Sequence, residues 1–334
     1  MAQEASGIIP SVFFFGGEPT LRWEDLIVPL VEKYPNMNYS ITTNGYLLDE
    51  EKIDFLAKNN FSIMLSMDGA ESTQNYNRKE DSFNKLNNII PYLLEKIENT
   101  NFRGTIIPAT CGNTFENILY AQNMGFKSCY FTINIFEKWL PEDKKKLENE
   151  IKKYKIAYIT SFLNDYKVIN FTPFTNMVEL IIKKEFDLLD NEVNIYKCGL
   201  GNGYITIDYK GDYYTCQEIA SNYEINQDFH IGNIEKGIDI EAREKLTRLI
   251  VNDMPMVNNE NNDCQNCPLL FCCKKNTCQV NNYLCNNHCL IQSYNQCWWN
   301  LLLYKYAVYV IFVLQDLSNF QDYMKEIIER ERGI

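Results

Sequence analysis

VFFFGGEPTLRWEDLIVPLVEKYPNMNYSITTNG, residues 12–45, is the stretch from which the fold is read. Val12 to Phe15 is a short apolar run stopped by Gly16 and Gly17, the pattern of a buried strand ending in a loop. Leu21 to Tyr34 reads as a helix, ended by Pro35. Tyr39 to Thr42 is a second strand, and Asn44 with Gly45 is a turn. Two strands joined through a helix call for a crossover connection between parallel neighbours, the unit of an α/β sheet.

The same unit recurs along the chain. Asp49 to Lys58 is a helix capped by its aspartate, Ser62 to Ser66 a strand, Asp68 with Gly69 a turn, and Ser82 to Glu98 a helix. Phe102 to Ile107 and Phe126 to Ile133 are further strands, with a helix from Thr114 to Met124 between them. Five strands are counted by residue 165, and right-handed crossovers make the sheet parallel. The loops after the strands carry Gly16, Gly17 and Glu18, then Thr43, Asn44 and Gly45, then Asp68 and Gly69. Ligands of parallel sheets and barrels bind at the strands' carboxyl ends, so these loops are expected to meet around one pocket. The helical pattern that starts after Pro141 breaks off around Asn164 to Thr172, where Pro173 is read as a local break. A helix from Met177 to Leu189 then leads to a second domain opening near Cys198. Ile205 to Tyr209 and Asp212 to Thr215 flank Lys210 and Gly211 as a β-hairpin.

The 334 residues are 46% hydrophobic, enough for a large domain and a smaller appendage. The formal charge of −12 argues against nucleic acid as a partner. The basic run Lys144, Lys145, Lys146, Lys152, Lys153 and Lys155 is interspersed with Glu148 and Glu150 and reads as a solvated helix. Before Pro10 nothing has the form of a secretory signal, which points to a reducing, cytoplasmic setting. Leu301 to Leu314 is apolar but includes Lys305 and is shorter than the roughly 20 residues of a membrane span, so a packed helix without a membrane is expected.

Of twelve cysteines, two lie before residue 190 and ten after it. The late group is Cys198, Cys216, Cys264, Cys267, Cys272, Cys273, Cys278, Cys285, Cys289 and Cys297. Thiolates in such number, with a CxxC pair at Cys264 and Cys267, suit iron-sulfur clusters, with structural zinc as the other reading. Cys111 and Cys129 are isolated and read as buried core thiols.

These residues together resemble the radical SAM enzymes with a C-terminal SPASM domain, the peptide-modifying group that includes the anaerobic sulfatase maturases. The resemblance implies an α/β fold: a partial (β/α)6 TIM-like barrel lacking its first strand, then a small cysteine-rich domain with a β-hairpin and a C-terminal helix. The expected division is a barrel core over 1–190, an auxiliary cluster domain over 191–300 and a helical tail over 301–334. GGEP at Gly16, Gly17, Glu18 and Pro19 is similar to the loop that holds the amino group of S-adenosylmethionine (SAM). Thr42, Thr43, Asn44 and Gly45 are similar to the next strand end. Ser66, Met67, Asp68 and Gly69 match the family's Ser-x-Asp-Gly, with Ser66 facing SAM, and Arg78 resembles the arginine that pairs with the SAM carboxylate. Arg103, Thr105 and Pro108 resemble the fifth strand.

Cys198, twelve residues, Gly211, four residues and Cys216 resemble the start of SPASM. The family pattern implies two auxiliary [4Fe-4S] clusters: one on Cys198, Cys216 and Cys278, the other on Cys264, Cys267, Cys272 or Cys273, and a late cysteine among Cys285, Cys289 and Cys297, with Cys285 preferred. His230 to Ile234 resembles the segment closing the hairpin region, and His230 is not expected to be a ligand. The spacing departs from the family after Cys267, since neither Cys272 nor Cys273 reproduces both intervals before Cys278.

A second departure is larger. The resemblance implies a CxxxCxxC some tens of residues upstream of GGEP for the catalytic cluster, whereas fifteen residues precede Gly16 and no cysteine precedes Cys111. The expectation is a truncated record whose full-length form modifies a ribosomal peptide or protein by 5′-deoxyadenosyl radical hydrogen abstraction, with thioether or other crosslink formation, served by a reducing electron donor. The chain as written is expected to leave SAM uncleaved. Gln217 follows Cys216 where the sulfatase-maturing group has an aspartate, which favours peptide modification over sulfatase maturation and leaves Glu218 as the nearest carboxylate base. The alternatives are an auxiliary-cluster or electron-transfer protein and a zinc-stabilised structural protein.

Overall fold

The computed structural model describes residues 11–78, 80–164, 167–185, 205–221, 229–251, 264, 266–273, 278–287 and 291–332. It divides into two compact units, one running through Ile182 and resuming from Lys305, the other spanning Lys183–Tyr304.

In the first unit, six parallel strands follow one another in sequence order: β1 (Ser11–Phe14), β2 (Asn38–Thr43), β3 (Ser62–Ser66), β4 (Thr100–Ile106), β5 (Ser128–Ile133) and β6 (Asn170–Phe171). Between them lie α1 (Val28–Lys33), α2 (Glu50–Lys58), α3 (Glu71–Asn77), α4 (Ser82–Lys96), α5 (Thr114–Asn123) and α6 (Pro141–Leu163), and α7 (Thr172–Glu185) follows β6. This is the partial barrel the sequence implies. Strand alternation sorts its side chains. Phe14, Tyr39, Ile41, Ile63, Leu65, Phe102, Cys129, Phe131 and Phe171 are buried on one face. Ser40, Thr42, Ser62, Met64, Ser66, Arg103, Thr105 and Thr132 occupy the other and remain half-buried. Register places Thr43 beside Leu65, Leu65 beside Phe102 and Phe102 beside Cys129, so the apolar face is continuous across the strands.

Three local readings change. Leu21 to Tyr34 is not one helix: a 3-10 turn over Pro19–Arg22 and a π-helical turn over Trp23–Ile27 precede α1. Pro29, near the start of α1, has no N–H to give the carbonyl four residues back, which removes one α-helical bond next to the π-helical turn. The break at Asn164–Thr172 contains β6, too short for any period to reveal. Its register is set by pairing with Ser128 and Cys129 and by the buried Tyr154 hydroxyl, which accepts from Phe171 N at 3.0 Å and donates to Ile169 O at 2.9 Å. Pro173 opens α7 instead of breaking it, since a first-turn residue needs no N–H.

The second unit holds an antiparallel sheet of order β10-β9-β8-β7, formed by β7 (Thr206–Ile207), β8 (Asp212–Tyr214), β9 (His230–Asn233) and β10 (Gly237–Ile238). The expected hairpin is β7–β8; Asp208 shapes its turn by accepting from Lys210 N and Asp212 N at 2.8 and 2.9 Å. Around the sheet lie α8 (Gln217–Ala220), α9 (Ile240–Val251), α10 (Leu270–Cys273) and α11 (Gln279–Asn286). Tyr214, Cys216, Ile219, Phe229, Ile231, Leu246 and Val280 form its core.

The chain ends in α12 (Tyr294–Leu314) and α13 (Ser318–Arg332). α12 starts earlier than the apolar run, so by length and composition it could cross a membrane, its most apolar 18-residue window having a mean hydropathy of 1.5. The length argument from the sequence therefore fails. From Lys305 onward the helix is fastened to α6: Glu148 accepts from Tyr306 Oη at 2.6 Å and Lys305 Nζ at 2.9 Å, and Lys155 sits 4.2 Å from the Tyr309 ring centroid. The Tyr306 hydroxyl first, and then Lys305, hold the Glu148 carboxyl below its ordinary value. A depressed folded value means stability present above the unfolded value and lost as pH falls through the folded one. Glu148→Gln is expected to cost about 1 kcal/mol at neutral pH and to flatten the loss of stability below about pH 5, as read by urea unfolding across pH.

Candidate functional site

At the carboxyl ends of β1 and β2 one carboxylate joins two loops. Glu18 Oε1 accepts from Thr20 N at 3.1 Å, Thr20 Oγ1 at 2.5 Å and Thr43 Oγ1 at 2.7 Å. Its Oε2 accepts from Asn44 N at 2.8 Å. Gly16 and Gly17 reach this position with φ of +87° and +53°, which side chains disfavour, and the space a Cβ would enter is open at both. Asn44 spends its side chain locally, accepting from Tyr46 N at 2.8 Å in an Asx turn.

A second carboxylate works at the ends of β3 and β4. Asp68, its side chain 5% exposed, receives Arg78 Nε on Oδ2 at 2.9 Å and Arg78 Nη2 on Oδ1 at 3.2 Å. Oδ1 also accepts from Thr105 N at 2.8 Å, so Asp68 clamps the next strand as well as the guanidinium. The Asp68 N–H donates to Gln74 Oε1 at 2.7 Å, and Gln74 Nε2 donates to Ser82 Oγ at 3.2 Å. Gly69, at φ +133°, lies where a Cβ would fall 2.2 Å from Asn117, whose Oδ1 accepts from Ala70 N. Sequence reasoning missed α3, on which Gln74 sits and after which Arg78 follows. Glu71–Asn77 has no apolar period; its buried face is Thr73 and Gln74, which hydrogen bonds and not hydrophobicity hold in place.

Glu18, Asn44 and Arg78 line one cavity of 350 Å3 together with Leu21, Tyr46, Leu47, Gln74 and Ser82. That volume is in the range of small-molecule sites. The structure thus brings together three of the seven SAM-site residues named from sequence as lining. Asp68 stands behind them through Arg78. Ser66 pairs in register with Arg103, and Gly16 and Gly17 lead into Glu18. Arg78 uses two of its five N–H groups on Asp68, which leaves donors for a further anion.

In the second unit, Cys216 is buried at the start of α8, Cys278 is exposed at the start of α11, and Cys285 lies half-buried on α11, where burial pushes its thiol up. Cys264 and Cys267 are half-buried and share a turn closed by Cys267 N to Cys264 O at 3.3 Å. Cys297 lies on α12 with Sγ 3.4 Å from Gln292 Oε1. Cys198 and Cys289, and the side chains of Cys272 and Cys273, lie outside the described residues. Each implied ligand set includes at least one of these positions. Among the described residues no three Cys, His, Asp or Glu side chains converge as a metal would require. Glu218 is exposed on α8, and His230 contacts Asp212 Oδ1 at 3.4 Å. Cys111 and Cys129 are fully buried in the first unit, and burial raises the Cys111 thiol to about 11.

Residues 1–151 match the model of the radical SAM superfamily. A cysteine-type anaerobic sulfatase-maturating enzyme of Clostridium perfringens is 28% identical over 243 residues, 67% of this chain and 62% of that protein. The chain therefore spans less than two thirds of that relative's length. A radical SAM cyclopropyl synthase, TigE, of Paramaledivibacter caminithermalis is 24% identical over 66% of this chain and 39% of its own. Among solved structures, native anSMEcpe with bound AdoMet superposes with a TM-score of 0.66 at 20% identity, covering 92% of this chain and 85% of that one.

Removing the Asp68 carboxylate strands a half-buried guanidinium and a backbone N–H. Asp68→Ala is expected to lower unfolding stability by about 2 kcal/mol in urea, more than Asp25→Ala, which breaks only the exposed pair with Arg22.

Proposed function

We propose, for a chain homologous to the radical SAM/SPASM peptide maturases, that its barrel unit binds SAM at the strand ends and serves the modification of a ribosomal peptide or protein. The observation that carries this reading is Arg78, held by Asp68 through two N–H groups and lining a cavity that Glu18 also lines. A carboxylate and an ammonium on one ligand meet complementary charge there. The SAM carboxylate would take the open donors of Arg78, and the SAM ammonium would take Glu18 Oε2, which carries one hydrogen bond against three on Oε1. Leu21 and Leu47 offer apolar contact beside these polar groups.

When bound beside a reduced [4Fe-4S] cluster, SAM supplies a carbon radical able to take hydrogen from a peptide. The three-cysteine motif that would hold that cluster is not among these residues, and the two barrel-unit thiols, Cys111 and Cys129, are buried with the core. No radical step is therefore assigned to them. What these residues do is orient SAM by its amino-acid moiety. The cysteine-rich unit has the donor chemistry of auxiliary clusters, and Gln217 after Cys216 favours a peptide over a sulfatase as the target. Cluster binding without SAM cleavage is the second reading, supported by the CxxC pair at Cys264 and Cys267 in the second unit.

Equilibrium dialysis of the purified chain with radiolabelled SAM is expected to show saturable binding that Arg78→Gln weakens about tenfold or more, with unchanged folding by circular dichroism. Equal binding by both proteins, or none by the unaltered chain, overturns the SAM reading. Anaerobic reconstitution is expected to give a brown protein that loses one cluster's share of iron on Cys216→Ala and the other on Cys267→Ala. Zinc with no iron by elemental analysis would contradict the cluster reading.

A further inference from the structure

The half-buried inner face of the six-stranded sheet carries one charge. Register aligns Met64 with Asn101, Ser66 with Arg103, Arg103 with Tyr130 and Thr105 with Thr132. Ser40, Thr42 and Ser62 continue the same face on β2 and β3. Every strand residue on it is a hydroxyl, an amide, an aromatic or Met64, except Arg103. The Arg103 guanidinium lies 3.5 Å from Met64 Sδ, a weak acceptor, and among the described residues it has no carboxylate partner. The other arginines of this unit that line or brace surfaces are paired: Arg22 with Asp25, Arg78 with Asp68, Arg330 with Glu179. A half-buried cation without a counter-charge is unfavourable in a folded chain, all the more one with acids to spare at a net −12.

We infer that Arg103 is a specificity-determining residue that receives a carboxylate of the peptide substrate on the inner face of the barrel, so that the peptide carries an Asp, a Glu or its own C-terminus close to the residue that is modified. The inference rests on the SAM reading in one respect: Arg78 and Glu18 already match the two charges of the SAM amino acid, which leaves Arg103 for a different anion. Ser66 and Tyr130, its register neighbours, supply hydroxyls to the second oxygen, and the planar fork of arginine suits a carboxylate held by two N–H groups. The nearby Met64 offers the apolar wall that strengthens such a pair by excluding water.

The test is selection of a phage-displayed library of random twelve-residue peptides on the full chain with saturating SAM, followed by calorimetry of the recovered peptides and their Asp→Asn or Glu→Gln versions. Acidic residues are expected to be enriched at one position. Neutralising that position is expected to weaken binding about tenfold on the unaltered chain and hardly at all on Arg103→Gln, while Arg103→Lys keeps part of the preference. Recovery of peptides without an acid, recovery of none, or an equal cost of neutralisation on Arg103→Gln overturns the inference. SAM affinity separates the other source of carboxylate: it is expected to be unchanged in Arg103→Gln, and a loss there would assign Arg103 to SAM instead. Failure of the unaltered chain to bind SAM at all counts against the earlier reading, and the acid preference is then read from the same peptides without SAM.

Discussion

The rim of the barrel depends on two carboxylates, each fastening one strand end to the next. A parallel strand fixes its own backbone by hydrogen bonds but leaves its exit loop free to wander, and a binding site needs those exits held within fractions of an ångström. Glu18 ties the exit of β1 to that of β2 through Thr43 and the Asn44 N–H, and Asp68 ties the exit of β3 to Thr105 of β4. In both cases the acceptor is charged and several of the donors are backbone or hydroxyl groups, the stronger class of hydrogen bond in a water-poor site. The glycines beside them follow from this, since Gly16 and Gly17 must turn through positive φ to deliver Glu18, and Gly69 must make room for Asn117.

Because Asp68 is spent on the frame, the arginine it holds is free to act outward. Arg78 ends α3 and is aimed by a chain that runs from Ser82 through Gln74 to the Asp68 N–H and from the Asp68 carboxylate to the guanidinium. A cation positioned this way loses little entropy on meeting an anion, which is the physical content of preorganisation. The same economy does not hold on the inner face, where Arg103 is left with a sulfur neighbour and polar uncharged company.

Much of this was legible in the sequence. The alternation of apolar runs and helical periods gave the parallel sheet, and Asp49 capping α2 by accepting from Lys52 N is where the residue type puts it. Gly16 to Glu18, Asn44 and Asp68 were noticed because they fall in successive strand-end loops expected on one rim, and Arg78 came only from the family resemblance. What was illegible had no local signature. β6 is two residues held by pairing with β5 and by a tyrosine hydroxyl seventeen positions before Phe171, and α3 is a polar heptapeptide held by tertiary hydrogen bonds. The role of Glu18 as a brace could not be read, because its partner Thr43 lies on another strand. α12 was placed too short, since Tyr294 to Asn300 mixes polar and aromatic residues that hide its first two turns.

The central claim is that Asp68 acts on the ligand through Arg78, and a double-mutant cycle on SAM affinity measures it most directly. Dissociation constants for the unaltered chain, Asp68→Asn, Arg78→Gln and the double variant are expected to show both single changes weakening SAM, with the double variant no weaker than Arg78→Gln alone. Independent, additive losses would contradict the account, because Asp68 would then be reaching SAM without its arginine.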